Sequence, residues 1–229
     1  MRKHYKLILF DFDKTLYDGR HFALRLVLAN LRHILRTKAE RTVRHTLAGQ
    51  DLDTGEYLRY ELCRRLADRV GCTVSEAEDW YAHTYLPSMC RVLLSYKPRP
   101  MAVEVIGALL DAGVKVGVLS DYPETRERLM SIGIDDERIL CLSSEDAGAL
   151  KPAPRPFLEA ARLVAVDPQE VLVVGDRADN DGGGAKAAGM DCLLIKGKKA
   201  TGQDGFEALP WPEVAERLRT IAADALKAL

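Results

Sequence analysis

A short apolar run at residues 7–10 ends in two acidic residues, and this feature most limits how the chain can fold. The run Leu-Ile-Leu-Phe has no polar position that could face solvent, which is typical of a central strand covered on both sides. Asp11 and Asp13 follow where that strand ends. Ligands of open α/β sheets gather outside the carboxyl ends of the strands, so these acids lie where a site is expected. The alternative is that both aspartates only form a turn after the strand.

Four further apolar runs alternate with helical patterns in the second half of the chain. They lie at residues 114–119, 139–142, 171–174 and 192–195, with Gly and Pro between them. Strands that alternate with helices favour βαβ units, and therefore a doubly wound parallel sheet of the α/β class. The right-handed crossover rule then predicts that the first strand lies between the second and the fourth.

Residues 18–97 lack such runs and show helical spacing instead. The pattern predicts a smaller all-α domain inserted into the α/β domain, which itself comprises residues 1–17 and 98–229. Ser75 and Glu78 fit a capping box that opens one of its helices. The first helix of the insert is predicted from an apolar stripe of Phe22, Leu24, Val27, Leu28, Leu31 and Ile34 or Leu35.

Charge and cysteine content argue against several classes of protein. The 229 residues include 33 Lys and Arg and 34 Asp and Glu, a net charge of −1 that gives no reason to expect a nucleic acid polymer or an anionic membrane as partner. The five cysteines show no Cys-x-x-Cys spacing, which argues against a zinc site or a disulfide framework. The first apolar run is too short for a signal peptide or a membrane span, so we expect a cytoplasmic protein, either a monomer or a homodimer.

Two later strands also end in polar residues. Ser120 follows the second strand and Asp176 follows the fourth, while Lys151 lies in a loop before a helix. These ends are predicted to converge on one crevice with Asp11 and Asp13. Clustered carboxylates do not all stay ionised without cations, and an oxygen-only ligand set favours Mg²⁺. The pattern indicates phosphoryl transfer, in which metal, lysine, hydroxyl and backbone amides hold a phosphoryl group that a carboxylate attacks.

Several of these residues have a purely structural alternative. Ser120 could be the N-cap of the helix that begins near Pro123, and Lys151 could be a solvated loop lysine. Asp181, which precedes three glycines, could start the next helix. The basic side chains on the polar faces of the insert are predicted to be mostly solvated, with a minority facing an anionic substrate; they are Arg20, His21, Arg25, Arg32, His33, Arg36, Lys38, Arg41, Arg44, His45 and His83.

Together these fragments resemble the four ordered motifs of the haloacid dehalogenase superfamily of phosphohydrolases. The resemblance implies a Rossmannoid α/β core and, between Tyr17 and Pro98, an α-helical cap of the C1 type that closes over the core and selects the leaving group. The motifs are Asp11-Phe12-Asp13-Lys14-Thr15, Ser120, Lys151 and Gly175-Asp176-Arg177-Ala178-Asp179-Asn180-Asp181.

The resemblance also implies a role for each motif residue. Asp11 would be the nucleophile that becomes an aspartyl phosphate. Asp13 would protonate the leaving oxygen and later deprotonate the hydrolytic water, and Lys151 would neutralise the phosphoryl group and orient Asp11. Asp181 would support the water shell of the metal or Lys151. The implied phosphate-binding residues are Thr15, Ser120, Asp121 and Lys151, and the implied Mg²⁺ ligands are Asp11, Asp13 through its backbone carbonyl, Asp176 and Asp181.

The preferred function is a Mg²⁺-dependent phosphatase acting on a small phosphorylated metabolite, similar to the nucleotidase and phosphoglycolate phosphatase branches. Asp13 argues against a true dehalogenase, which lacks an Asp at that position. Phosphonatases and phosphomutases share the core motifs, but they need a Schiff-base lysine or a second catalytic residue in the cap, where Lys38 is the only lysine before Lys97. A non-catalytic binding or regulatory protein of the same fold is the remaining alternative.

Overall fold

The computed structural model describes residues 4–196 and 205–227, and these residues form a six-stranded parallel sheet. The strands are β1 (Leu7–Asp11), β2 (Lys115–Ser120), β3 (Leu140–Ser143), β4 (Val171–Gly175), β5 (Asp191–Ile195) and β6 (Glu207–Leu209). Their order is β3-β2-β1-β4-β5-β6, so β1 lies between β2 and β4 as the crossover rule predicts. The predicted fold class is confirmed. Strand β6 was not predicted, because three residues are too few to show a pattern.

Helices cover both faces of this sheet. Successive residues of a strand point to opposite sides, so β1 contributes to a separate apolar cluster on each face. Ile8 and Phe10 of β1 pack in one apolar cluster, while Leu7 and Leu9 pack in another. The α-helices are α1 (Phe22–Ala29), α2 (Ile34–Leu47), α3 (Gly55–Val70), α4 (Val74–Trp80), α5 (Leu86–Leu93), α6 (Ala102–Asp111), α7 (Thr125–Ser131), α8 (Arg155–Leu163), α9 (Gly183–Ala187) and α10 (Trp211–Leu226). Helices α6 and α10 lie in the first cluster, and α8 lies in the second.

Helices α1 to α5 make up a helical insert between β1 and β2, with an apolar cluster of its own. Leu58, Leu62 and Leu66 line one side of α3 and are fully buried there, together with Tyr85. This separate cluster is what a distinct small domain needs. The division of the chain into residues 18–97 and the remainder stays a prediction.

The predicted apolar stripe of the first insert helix is wrong. Helix α1 ends at Ala29, and the side-chain amide of the next residue, Asn30, donates to the Leu26 carbonyl and to the Ser88 hydroxyl. A 3₁₀ turn at Leu31–His33 follows, so the chain does not continue as one helix and the stripe loses its common face. Its members Leu24, Leu28, Leu31 and Leu35 are all more than half exposed.

The predicted capping box lies two residues earlier than the sequence pattern suggested. The Thr73 hydroxyl accepts from the Glu76 amide at 3.2 Å, and the Thr73 amide donates to the Glu76 carboxylate at 2.8 Å. Ser75 and Glu78 have the same spacing, and Thr73 with Glu76 offers an equally good match two positions upstream. Helix α4 therefore begins at Val74.

A buried set of ion pairs, the Arg44–Glu145 network, joins the helical insert to the loops that follow β2 and β3. Arg44 of α2 lies 2.7 Å from the Glu145 carboxylate and donates to the Asp121 carbonyl at 2.9 Å. Glu145 is fully buried and also accepts from Tyr81 and Arg59 of the insert, at 2.6 and 3.0 Å. Removing one partner of a buried pair costs roughly 3–5 kcal/mol, so this network holds the two parts together.

Two expectations from composition can be compared with the described residues. The five cysteines are free, in agreement with the predicted absence of a disulfide framework. Within residues 4–196 and 205–227, none of the helices combines the length and apolar character needed to cross a bilayer.

Candidate active site

Both oxygens of the Asp11 carboxylate, at the end of β1, accept a hydrogen bond. The Lys151 ammonium donates to one oxygen at 2.8 Å, and the Thr15 hydroxyl donates to the other at 3.0 Å. Asp11 is the last residue of β1 and lies opposite Leu119 of β2, so the central strand holds its backbone. Lys151 is 2% exposed, and the alternative of a solvated loop lysine is therefore wrong.

Two more aspartates come to the same point from the segment after β4. The Asp181 carboxylate accepts from Lys151 at 3.0 Å and from the amides of Asp176 and Arg177 at 3.2 Å each. Asp181 lies inside a π-turn at Ala178–Gly182 rather than capping α9. Carboxylate oxygens of Asp11, Asp176 and Asp181 lie within 4.8 Å of one another, so the structure brings together these three predicted residues.

The electrostatics of this trio fit a divalent cation. Burial, with repulsion from neighbouring acids, raises the pKa of Asp11 to about 7 even though Lys151 opposes the shift. Burial and the charge of Asp11 likewise raise the pKa of Asp176 to about 7. Burial alone would lower the pKa of Lys151, but Asp11 and Asp181 outweigh it and raise that pKa. One lysine does not balance three clustered acids, and oxygen donors of this kind suit a hard cation.

Asp13 lines the same cavity but is not part of the trio, and a tyrosine and a buried arginine hold its carboxylate. The Tyr17 hydroxyl donates to one Asp13 oxygen at 2.6 Å, and Arg128 donates to the other at 2.7 Å. Arg128 is 1% exposed, lies over the Phe12 ring, and also donates to the Ser120 hydroxyl. Its guanidinium thus links Asp13 to the end of β2.

The predicted phosphate-binding residues do not all reach the open cavity. Ser120 and Thr15 are fully buried and do not line it, whereas Asp121 and Lys151 do. Ser120 is not a helix N-cap, because Glu124 precedes α7 and the Ser120 hydroxyl accepts from the Tyr122 amide instead. The roles assigned to these residues stay predictions.

A cavity of about 750 Å³ opens over the Asp11 carboxylate. Its floor consists of the segments that follow β1, β2, β3 and β4, and its roof comes from the helical insert. Five basic residues of the roof line the cavity; they are Arg20, His21, Arg41, Arg44 and His45. That a minority of the basic side chains of the insert faces an anionic substrate stays a prediction.

Sequence reasoning missed two residues that hold this site. Arg128 lies eight positions after Ser120 on the short helix α7, where a basic residue normally reads as solvent-facing. Asn180 donates to the Asp121 carboxylate at 3.1 Å. It belongs to the motif at residues 175–181, in which roles were predicted only for Asp176 and Asp181. The one sequence feature that could have indicated a buried Arg128 is its place on α7 next to the apolar Leu129, which is buried.

A family model described as haloacid dehalogenase-like hydrolase matches residues 5–189 of the chain. The chain belongs to this family. The resemblance of the four motifs to the haloacid dehalogenase superfamily is therefore confirmed, as is the expectation of a hydrolase. Members of the haloacid dehalogenase-like hydrolases are also found when whole chains are compared.

Among its relatives, this haloacid dehalogenase-like hydrolase is 30% identical over 206 residues to the glyceraldehyde 3-phosphate phosphatase of Methanopyrus kandleri, a match that covers 83% of this chain and 84% of the relative. It is 28% identical over 213 residues to the protein of the same name from Pyrococcus abyssi, covering 83% and 81%.

Solved structures show that the fold is shared by enzymes of different chemistry. A 2-haloacid dehalogenase from Pseudomonas syringae pv. Tomato DC3000 superposes with a TM-score of 0.62 at 24% identity, covering 93% of this chain and 99% of the other. A HAD phosphatase from Thermococcus onnurineus gives a TM-score of 0.60 at 20% identity, covering 93% and 97%. The fold alone therefore does not choose between dehalogenation and phosphate hydrolysis.

Proposed function

We propose that the protein is a Mg²⁺-dependent phosphatase that hydrolyses a small phosphorylated metabolite through an aspartyl phosphate on Asp11. The observation that supports this most directly is the Asp11 carboxylate itself, held by Lys151 and Thr15 beside two further acids. A nucleophile fixed in this way at the floor of a cavity needs little reorganisation to attack.

The reaction uses the residues in two steps. First, an Asp11 oxygen forms a bond to phosphorus while the bond to the leaving alkoxide breaks, and Asp13 gives that alkoxide a proton. Then water attacks phosphorus, Asp13 takes a proton from the water, and the bond from Asp11 to phosphorus breaks to release inorganic phosphate. Lys151 neutralises charge on the phosphoryl group in both steps.

A bound Mg²⁺ would supply further positive charge to the phosphoryl oxygens. The residues that would hold it are Asp11, Asp176 and Asp181, whose carboxylate oxygens already lie within 4.8 Å of one another. The Asp13 carbonyl remains a predicted fourth ligand.

The names of the relatives support a phosphomonoester as substrate. The two relatives described above are both called glyceraldehyde 3-phosphate phosphatase. A cavity of about 750 Å³ also accommodates metabolites larger than a three-carbon phosphate. Glyceraldehyde 3-phosphate, phosphoglycolate and nucleoside monophosphates are therefore the first substrates to compare.

The alternative reactions receive less support from the described residues. A phosphonatase needs an insert lysine at the site, but Lys38 is exposed and neither Lys38 nor Lys97 lines the cavity. A dehalogenase has no use for Asp13, which here is held by Tyr17 and Arg128. A non-catalytic protein has no need of the buried charges around Asp11, which oppose folding.

Chelation tests the proposal as a whole. We expect p-nitrophenyl phosphate hydrolysis to fall at least ~100-fold in EDTA and to return when excess Mg²⁺ is added, because Lewis-acid stabilisation contributes several kcal/mol. The measurement is the rate of p-nitrophenolate release. Ca²⁺ is the matched control, since it prefers longer bonds and more ligands and should restore much less activity. Hydrolysis that survives EDTA contradicts the metal site, and none with Mg²⁺ favours a non-catalytic protein.

Replacing Arg128 tests whether it holds Asp13 as the general acid. We expect Arg128→Met to reduce kcat for an alkyl phosphate such as glycerol 3-phosphate about 10–100-fold more than for p-nitrophenyl phosphate, because only a poor leaving group needs the proton. Arg128→Lys keeps the charge but not both hydrogen bonds, and it should show a smaller difference.

The matched control is Arg126→Met on the same helix, because within the described residues Arg126 donates to the Asp136 and Ile139 carbonyls and it does not line the cavity. It should leave the ratio of the two rates unchanged. Equal losses on both substrates in Arg128→Met would mean that Arg128 supports the fold and not the proton transfer.

A further inference from the structure

Acidic residues line only one side of the cavity, the floor, which also carries Lys14, Lys151 and Arg177. All six acids that line it come from the floor, namely Asp11, Asp13, Asp121, Asp176, Asp179 and Asp181. Every charged residue that the helical insert contributes is basic. This is not a property of the insert as a whole, which also carries acids such as Glu56, Glu76 and Asp79 on other surfaces. The roof therefore presents positive charge opposite the Asp11 carboxylate.

Three of the five basic roof side chains are not used by the fold; His21 immediately precedes α1, and the other two lie on α2. Arg44 belongs to the Arg44–Glu145 network, and Arg20 pairs with Asp18 at 2.7 Å. Arg41 and His45 are exposed to the cavity, and their side chains make no hydrogen bond or ion pair with any residue in the described part of the chain. They lie four residues apart on α2, so they share one face of that helix.

This pair lies on α2 of the roof, whereas the residues that would serve the transferred phosphate belong to the floor. The phosphoryl group would be held at the floor, by Lys151 and the groups around Asp11. An arginine fork and an imidazole one turn apart can together bind a carboxylate or a phosphate. Apolar and aromatic side chains, including Leu26, Met89 and Tyr122, line the cavity as well.

We propose that Arg41 and His45 form a second anion subsite, and that the natural substrate is a phosphomonoester with a carboxylate or a second phosphate at its far end. This inference rests on the proposed phosphatase function and adds the chemical class of the substrate. The phosphoryl end lies at Asp11, and the second anion lies under α2.

Two matched pairs of probes test the subsite. 3-Phosphoglycerate and glycerol 3-phosphate differ only in a carboxylate or a hydroxymethyl group at the far carbon, and 6-phosphogluconate and glucitol 6-phosphate differ in the same way across six carbons. For each pair, the ratio of affinities of acid over alcohol is measured by competition against p-nitrophenyl phosphate. Isothermal titration with Mg²⁺ measures the same ratio even where no turnover is seen.

We expect the wild-type protein to prefer the acid by ~10-fold or more in at least one pair, as hydrogen bonds to charged groups imply. Arg41→Met combined with His45→Gln should bring that ratio close to one. Lys38→Met is the matched control, because Lys38 lies on the same helix but does not line the cavity. It removes one charge and should keep the ratio.

The outcomes separate the subsite from the phosphatase itself. A ratio near one in the wild type, or an acid preference that survives in the double variant, overturns the subsite while hydrolysis of p-nitrophenyl phosphate still supports the phosphatase. Equal loss in Lys38→Met and the double variant would mean that the roof only attracts anions at long range, and this also overturns the subsite. No hydrolysis of p-nitrophenyl phosphate, with an acid preference in titration, retains the subsite and removes the phosphatase.

Discussion

Asp11→Asn should abolish phosphatase activity and leave the fold intact. We expect kcat for p-nitrophenyl phosphate to fall by about four orders of magnitude or more, because an amide cannot form the acyl phosphate bond. Asparagine has the same shape, and Lys151 keeps Asp181 as a partner at 3.0 Å. Circular dichroism and the melting temperature report the fold, while p-nitrophenolate release reports the activity.

A phosphoryl mimic provides a second measurement on the same variant. BeF₃⁻ with Mg²⁺ should raise the melting temperature of the wild-type protein, since a ligand that binds only the folded state stabilises it by mass action. Asp11→Asn should show little or no rise, because beryllium needs the carboxylate oxygen. An equal rise in both proteins, or retained turnover in the variant, would contradict Asp11 as the nucleophile.

The metal-free proteins should also differ in how their stability depends on pH. Burial raises the pKa of Asp11 from 3.8 to about 7, so the folded state holds this proton more tightly than the unfolded state. The resulting stabilisation is fully present below pH 3.8 and is lost as the pH rises through about 7. Asp11→Asn removes this contribution, so its unfolding free energy should fall less between these limits in EDTA.

Gly175→Ala should displace the Asp181 carboxylate, which belongs to the same acid cluster as Asp11. A Cβ atom at this position would lie 2.4 Å from the Asp181 carboxyl group, so Asp181 would have to move. Moving it breaks the contacts to Lys151 and to the amides of Asp176 and Arg177. We expect the unfolding free energy to fall by about 1–3 kcal/mol, as in other overpacked sites, and Mg²⁺ affinity and turnover to fall with it.

The matched control for this change is Gly107→Ala in α6. A Cβ atom there would meet nothing within 4 Å, and alanine is favoured over glycine in a helix by up to ~1 kcal/mol. Thermal unfolding should therefore show a loss of stability in Gly175→Ala and a gain in Gly107→Ala. Mg²⁺ titration should show a change in affinity only in Gly175→Ala. Unchanged Mg²⁺ affinity in Gly175→Ala would mean that Asp181 is not needed at the metal.

Five of the six strands, and the positions where they end, could be predicted from the sequence because each is a short, mainly apolar run; β6 has three residues and shows no such pattern. That pattern, with the crossover rule, predicts that Asp11, Ser120 and Asp176 converge at one edge of the sheet, and the loop before α8 adds Lys151. Asp181 was harder to interpret, because the glycines after it suggested a helix start. Its actual role depends on amides from two neighbouring residues, which no side-chain pattern reveals.

The parts that sequence could not predict depend on contacts between distant segments. The leucines of the first insert helix show regular spacing, yet Asn30 and its bonds to Leu26 and Ser88 end that helix and leave them exposed. Arg128 reaches Asp13 across 115 residues of chain, and nothing local marks it as buried. The division into two domains and the roles of Thr15, Ser120 and Asp121 stay predictions for the same reason.

The Arg44–Glu145 network has a consequence for which molecules fit. Arg44 binds the Asp121 carbonyl, and Arg41 and His45 lie on the same helix one turn or less away. Helix α2 therefore cannot slide along the sheet without breaking the contacts of Arg44 with Glu145 and with the Asp121 carbonyl. Under the proposed subsite, the spacing between Asp11 and α2 would therefore set the length of substrate that can engage both ends of the cavity.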